Sequence, residues 1–312
     1  MGPDPSPADA PLLVALPGHE DGAAALLAEG VHQRADLVVD RFPEGEPRLR
    51  LAHCVAGRRV DLFCPLARPE PQLTVLLLAA LGARDMGATH VRLVAPYLPF
   101  LRQDRAFAEG ELVSARLFAA LLSSTFDSLL TVDPHLHRIA RLDDIFGIPA
   151  IALSAAPLVA AHVAAHVPRP LIVGPDEESR QWAAAVAEAL AAPLVVLAKE
   201  RRGLRDVSVA GAHLERHAGC TPVLVDDIAG TGETLVAAAA AIVAAGLPPP
   251  LAVVTHCFLE GEGLARVRAA TAGLVATDSV PHTASAIVLA PLLARALRAP
   301  AAPGSAGPAG RR

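Results

Sequence analysis

The chain has 312 residues, enough for two domains with buried cores, and a mildly acidic balance of 27 Lys and Arg against 32 Asp and Glu. With only 3 % aromatic residues it lacks the basic face and stacking rings that a nucleic-acid surface needs. No apolar stretch is long and uninterrupted enough to span a bilayer, and the Pro- and Asp-rich start is unlike a secretion signal, so the expected setting is the cytoplasm.

In chain order, residues 1–10 read as a polar, Pro-rich tail and 299–312 as a Pro/Gly/Ala tail, both expected to be disordered. Between them short apolar runs alternate with amphipathic or Ala-rich segments. The runs are Leu12 to Leu16, Val60 to Phe63, Val91 to Ala95 and Leu129 to Val132, then Leu171 to Val173, Leu194 to Leu197, Val223 to Val225 and Leu251 to Thr255. Strand and helix in alternation predict an α/β fold of mainly parallel sheets with helices on both faces, and ligands beyond the strand C-termini. Gly147-Ile148-Pro149 divides the series into similar halves, so two domains are expected, 11–150 and 151–298, without a residue-level repeat. Cys54, Cys64, Cys220 and Cys257 have no paired metal spacing and are expected to be ordinary buried residues.

Polar residues gather where those runs end. After Leu37 to Val39, Arg41-Phe-Pro-Glu-Gly-Glu46 sets Phe42 between Glu44 and Glu46; the ring can stack on a base, although alone the stretch reads as a hairpin turn at Gly45. After Val91 to Ala95 comes Pro96-Tyr-Leu-Pro-Phe-Leu-Arg-Gln-Asp-Arg105. Here Arg102 and Arg105 can clamp phosphates while Gln103 and Asp104 read polar edges, but the same alternation builds surface ion-pair networks. Thr131-Val-Asp-Pro-His-Leu-His137 and Gly174-Pro-Asp176 end two further strands. An imidazole at His135 and a carboxylate at Asp176, with phosphate oxygens and water, can complete a Mg²⁺ shell, although histidine is an uncommon ligand for that ion.

The densest stretch is Thr221-Pro-Val-Leu-Val-Asp-Asp-Ile-Ala-Gly-Thr-Gly-Glu-Thr-Leu235, a buried strand, a tight loop and a helix start. Gly230 and Gly232 let backbone N–H groups turn inward on an anion at the helix N-terminus, and Thr231 and Thr234 add hydroxyls. Asp226 and Asp227 stand just before it, where carboxylates accept hydrogen bonds from sugar hydroxyls or hold a cation. A phosphate beside diol acceptors describes a phosphorylated pentose. The Gly-Lys-Ser/Thr ending of a nucleotide-triphosphatase loop is absent.

Taken together, RFPEGE at 41–46, PYLPFLRQDR at 96–105, TVDPHLH at 131–137, GPDEES at 174–179, LAKERR at 197–202 and VLVDDIAGTGETL at 223–235 resemble the ribose-phosphate pyrophosphokinase family, over nearly all of 12–298. The resemblance implies two phosphoribosyltransferase-type α/β domains, Mg²⁺ with ATP as donor, ribose 5-phosphate as acceptor, and homo-oligomers in which a neighbouring subunit contributes to the adenine pocket. It implies that Phe42, Glu44 and Glu46 face adenine, that Arg102 and Gln103 contact ATP, and that His135 with Asp176 serve the metal. Asp226, Asp227, Thr231, Gly232 and Thr234 would hold ribose 5-phosphate, with Lys199 and Arg201 on a mobile catalytic loop.

Some positions depart from the family's pattern. Gly230 stands where many members have an acidic or hydroxyl residue close to the ribose, Glu233 often replaces glycine, and Glu44 replaces a shorter Asp. The segment from Ala106 to Val113 resembles archaeal-type members without the basic residues tied to phosphate activation, so strong allosteric control is not expected. Two other readings stay open: a phosphoribosyltransferase, which would not need 41–46 or 96–105, and a catalytically silent regulatory partner, which Gly230 and Glu233 favour. Lys199 is the only lysine among 27 basic residues, so arginine serves wherever a cation suffices and one position keeps a compact ammonium.

Overall fold

The computed structural model describes residues 10–106, 108–201, 207–210 and 213–298, with side chains described for all of these except 198–201 and 207–210. The predicted tails, apart from Ala10, lie outside the described residues, as do Arg202 and Gly203. The chain divides into two compact units, one of residues up to Leu153 together with those from Ala290 onward, the other Ser154–Leu289.

The first unit runs β1 (Leu12–Ala15), α1 (Glu20–Ala28), β2 (Gln33–Ala35), β3 (Leu37–Arg41), β4 (Pro47–Leu51), β5 (Arg59–Phe63), α2 (Pro69–Asp85), β6 (His90–Ala95), α3 (Ser114–Thr125), β7 (Ser128–Val132) and β8 (Ala150–Leu153). Six of its strands form an all-parallel sheet in the order β2-β1-β5-β6-β7-β8, while β3 and β4 pair antiparallel as a separate hairpin. A parallel sheet covered on both faces needs apolar residues on both, and the strands comply. Val60, Leu62 and Leu93 pack with Leu76, Ala80 and Leu122 of α2 and α3. On the opposite face Phe63 lies against Gly22 of α1.

One charged interruption is fully internal. Asp61 on β5 is 0 % exposed and receives two hydrogen bonds from the guanidinium of Arg92, its register partner on β6, and one contact of 2.7 Å from His32. A buried carboxylate is tolerated only when its charge and lone pairs are met in this way.

The second unit runs α4 (Ala156–His166), β9 (Pro170–Gly174), α5 (Arg180–Leu190), β10 (Leu194–Val196), β11 (Ala198–Arg201), β12 (Val207–Ala210), β13 (Thr221–Ala229), α6 (Glu233–Ala244), β14 (Leu251–Cys257), α7 (Gly261–Ala270), β15 (Gly273–Thr277) and β16 (Ser285–Ile287). Its parallel sheet has the order β10-β9-β13-β14-β15-β16, again with an antiparallel hairpin, β11 with β12, outside it. Leu171, Val173, Leu224 and Val254 pack with Leu235, Ile242 and Val267 from α6 and α7.

The two strand orders are the same order. In each unit the first strand lies one in from an edge, the second takes that edge, a hairpin follows, and the remaining four build outward on the other side. This is a repeat of topology that the residues do not display, because the two sheets share pattern rather than identities.

The last described helix, α8 (Ala290–Arg298), falls to the first unit, whereas a single boundary near 150 assigns it to the second. Its Leu292, Leu293 and Leu297 are buried, it packs on α1, and the Arg298 guanidinium donates to the Glu29 carbonyl. The edge strands β2, β8 and β16 are three or four residues long and half-exposed in part, too short to stand out by periodicity, whereas the equally short β10 shows as the apolar run at Leu194. Among the described residues no helix is long and apolar enough to cross a membrane. Of the cysteines, Cys64 and Cys257 are buried as expected, but Cys54 is exposed in the loop after β4 and Cys220 is partly so; all four are free. Burial pushes the Cys64 thiol up to about 12.

Candidate active site

In the second unit β9 and β13 are neighbours, so the loops leaving their C-terminal ends lie side by side. The apolar run does not end the strand at the acids as its residues suggest: β13 continues to Ala229 and carries Asp226, half-buried, and Asp227, 3 % exposed, close to its C-terminal end. Each carboxylate bends back on its own backbone: Asp226 accepts the N–H of Asp227 at 3.0 Å and Asp227 that of Ile228 at 2.8 Å. Asp176, on the β9 loop, accepts the Ser179 N–H at 3.1 Å, while the Ser179 hydroxyl donates to the Asp176 carbonyl at 2.6 Å. Burial, then the charge of Asp227, then that of Asp176, hold the Asp226 carboxyl well above the usual carboxylate range. A carboxyl whose charged form is disfavoured in this way suits a nearby cation or hydroxyl donors.

The turn into α6 is fixed by packing. Gly232 is the N-cap with φ +79, and a Cβ there would lie 2.5 Å from Val267 Cγ2 and 3.0 Å from Leu259 Cδ2. No side chain fits, and the backbone conformation favours glycine on its own account. Gly230 is different: a Cβ there would meet nothing within 4 Å. Thr231 and Glu233 are exposed and Thr234 half-exposed, with the Glu233 N–H reaching Thr231 Oγ1 at 3.4 Å. First-turn N–H groups have no acceptor inside their helix, so this end of α6 offers donors to an anion while Asp226 and Asp227 offer acceptors beside it.

In the first unit the stretch 41–46 is the hairpin turn that its residues suggest. The Phe42 N–H reaches the Glu46 carbonyl at 3.0 Å, Gly45 takes φ +94, and Arg41 donates to the Gly45 carbonyl at 2.8 Å. Phe42 is 45 % exposed at that tip, with Glu44 and Glu46 exposed beside it. Arg102 and Arg105 are exposed beyond β6, whereas Gln103 accepts the Ser114 hydroxyl at 2.7 Å and its carbonyl takes the Ala115 N–H at the start of α3. Asp104 is turned inward to Arg138 rather than outward to read a polar edge. His135 is half-exposed beyond β7, its ring 6.0 Å from that of His137.

Lys199 and Arg201 lie on β11, where Lys199 is paired with Val209, and their side chains are outside the described residues. Sequence reasoning did not single out Arg138, one residue beyond the TVDPHLH stretch, or Val267 and Leu259, which close over Gly232. Nothing local marks them, since Leu259 lies between β14 and α7 and Val267 on α7, both far along the chain from the glycine.

Among the described residues no three His, Cys, Asp or Glu side chains converge as a ready-made cage. Carboxylate oxygens such as those of Asp226 and Asp227 are donors that fit a hard cation of the Mg²⁺ type. The raised carboxyl of Asp226 supports the fit, because a nearby cation would relieve it.

Residues 12–125 match the model of the N-terminal domain of ribose phosphate pyrophosphokinase, and residues 142–274 that of the phosphoribosyl transferase domain. A ribose-phosphate pyrophosphokinase from Halobacterium salinarum is 34 % identical over 280 residues, 88 % of this chain and 96 % of that protein. One from Methanopyrus kandleri is 33 % identical over 266 residues, 84 % of this chain and 90 % of the relative. The crystal structure of phosphoribosylpyrophosphate synthetase from Mycobacterium smegmatis superposes with a TM-score of 0.80 at 24 % identity, covering 93 % of this chain and 98 % of that one, a likeness of fold.

Proposed function

The chain belongs to the ribose-phosphate pyrophosphokinase family, and from that premise we propose that it transfers the β,γ-diphosphoryl group of Mg²⁺-ATP to the anomeric hydroxyl of ribose 5-phosphate, giving phosphoribosyl pyrophosphate and AMP. The observation that carries this reading is the 226–234 stretch, from the end of β13 into α6, in which two acids stand beside an anion-ready helix end whose glycine has no room for a side chain.

In this reading the 5-phosphate lies on the N–H groups and hydroxyls of Thr231 to Thr234, and Asp226 and Asp227 accept from the ribose hydroxyls. Phe42, Glu44 and Glu46 address adenine, with Arg102, Gln103 and Arg105 at the nucleotide. His135 and Asp176 are the protein ligands we assign to Mg²⁺, which would supply charge neutralisation at the transferred phosphoryl oxygens. The anomeric oxygen attacks the β-phosphorus in line, its proton passes to solvent, and the bond from the β-phosphorus to the bridging α-phosphate oxygen breaks so that AMP leaves. Lys199 and Arg201 are assigned to the charge that develops on the transferred group. An exposed Phe42 suits a ring that completes its pocket against another subunit, and we assign the protein to homo-oligomers on that ground.

The test is AMP release by purified protein with ATP, Mg²⁺ and ribose 5-phosphate. AMP formed one-for-one with a 1-diphosphorylated pentose is expected, and only with Mg²⁺ or a similar divalent ion. ADP as the nucleotide product would overturn the reading.

A further inference from the structure

β6 and β7 are neighbours, paired in register at Ala95 and Thr131, so the loops that follow them leave the same end of the first sheet together. The first carries Arg102 and Gln103, the second His135. Leu98 and Leu101 anchor the first loop in the core, and Leu136 and Ile139 pack the second against it. One carboxylate joins the two loops. Asp104 accepts the backbone N–H of Arg138 at Oδ2 and its guanidinium Nη1 at Oδ1, both at 3.0 Å.

The two partners differ sharply in exposure, the Asp104 side chain at 1 % and that of Arg138 at 46 %. An ordinary surface ion pair buries neither partner and commits no acceptor to the backbone. Here the acid is withdrawn into the protein, where an unmet carboxylate would be costly, and its oxygens are matched to the main chain and side chain of one residue. The backbone bond sets the path of the chain through His135. The side-chain bond fixes one nitrogen of a planar, five-donor fork whose remainder reaches solvent at the strand ends. A guanidinium anchored on one edge and open on the other is pre-organised for phosphate oxygens.

We propose that Asp104 is a positioning residue that fixes the 133–138 loop, and that Arg138, held by it, is a further contact for the polyphosphate of the nucleotide. The proposal rests on ATP binding at these two loops. Asp104 touches no substrate; it acts through Arg138 and through the presentation of His135.

The test compares Arg138→Ala, Asp104→Asn, Asp104→Ala and the double variant Asp104→Ala with Arg138→Ala, all in the full chain. AMP release is measured as kcat and as KM for ATP and for ribose 5-phosphate, together with the thermal midpoint. Arg138→Ala is expected to raise KM for ATP roughly tenfold or more, the loss expected for one hydrogen bond to a charged group, with KM for ribose 5-phosphate unchanged and the thermal midpoint lowered because Asp104 Oδ1 loses its partner. Asp104→Ala should raise KM for ATP by at least as much and also lower kcat, Asp104→Asn should recover part of both, and the double variant should be no worse than Asp104→Ala. Wild-type AMP release with an unchanged KM for ATP in Arg138→Ala, or independent effects that multiply in the double variant, overturns the proposal alone. A wild-type protein that releases no AMP overturns the reading of the whole site, and this role with it.

Discussion

Val267 on α7 closes over Gly232: a Cβ added to that glycine would lie 2.5 Å from the valine's Cγ2, in a backbone conformation of φ +79 that side chains disfavour. Gly232→Ala should therefore cost about 2–5 kcal/mol, strain and overpacking together, and abolish ribose 5-phosphate binding. Gly230→Ala, two residues away and in open space, should be neutral or stabilising by up to about 1 kcal/mol. Urea unfolding of both variants checks the contrast, and equal losses would mean that the loop does not pack as described.

The buried triad of Asp61, Arg92 and His32 gives a pH dependence of known sign. Burial alone would raise the Asp61 pKa, but the His32 hydrogen bond and the charge and hydrogen bonds of Arg92 bring it below the ordinary value. A folded-state pKa below the unfolded one contributes stability that is present above the unfolded value and lost as pH falls through the folded value. Asp61→Asn should thus cost roughly 3–5 kcal/mol at pH 7, leaving Arg92 buried without its counter-charge, and the gap from wild type should narrow in acid. Denaturant midpoints at pH 7 and pH 3 measure it.

Asp226 runs the other way. Its raised pKa, from burial, Asp227 and Asp176 in that order, means a contribution to stability that is fully present below the unfolded value and lost as pH rises through the folded value. At neutral pH the acids are thus held together at a cost. Asp227→Asn should raise the thermal midpoint while weakening ribose 5-phosphate, and the wild type should bind that sugar more tightly as pH rises and Asp226 ionises. Calorimetry across pH follows the binding; a thermal midpoint that falls in Asp227→Asn would remove the repulsion from the account.

Lys199 is the chain's single lysine. Lys199→Ala should lower turnover roughly 10²- to 10³-fold, the scale of one lost transition-state donor, and Lys199→Arg should lower it substantially, because a planar fork does not replace a compact ammonium. Substrate affinities should change less. Steady-state kinetics decide, and near-normal turnover in Lys199→Ala would take the residue out of the mechanism.

The alternating fold, the central strands and the acidic loop were legible because each rests on a local pattern: apolar runs such as Val223 to Val225, or acids and glycines in fixed order. The hairpin at Gly45 was legible for the same reason. What stayed hidden is what depends on partners far along the chain. Val267 constrains Gly232 from the next helix, Asp104 finds Arg138 across thirty-four residues, and Asp61 looks like an exposed strand acid until Arg92 and His32 meet it. The repeat of strand order was invisible because pairing order is carried by packing, and no residue spells it out.

The placement of α8 on α1 also sets an order of events during synthesis. The second unit is one continuous stretch, Ser154–Leu289, and can close as soon as its own residues have left the ribosome. The first unit is begun earlier but finished later. Until Ala290–Arg298 emerges, the surface that buries Leu292, Leu293 and Leu297 has nothing to cover it, and the nascent chain must carry that apolar patch through the whole translation of its second half. Ribosome-stalled chains ending just before and just after this helix should therefore differ in how readily a holdase chaperone captures them.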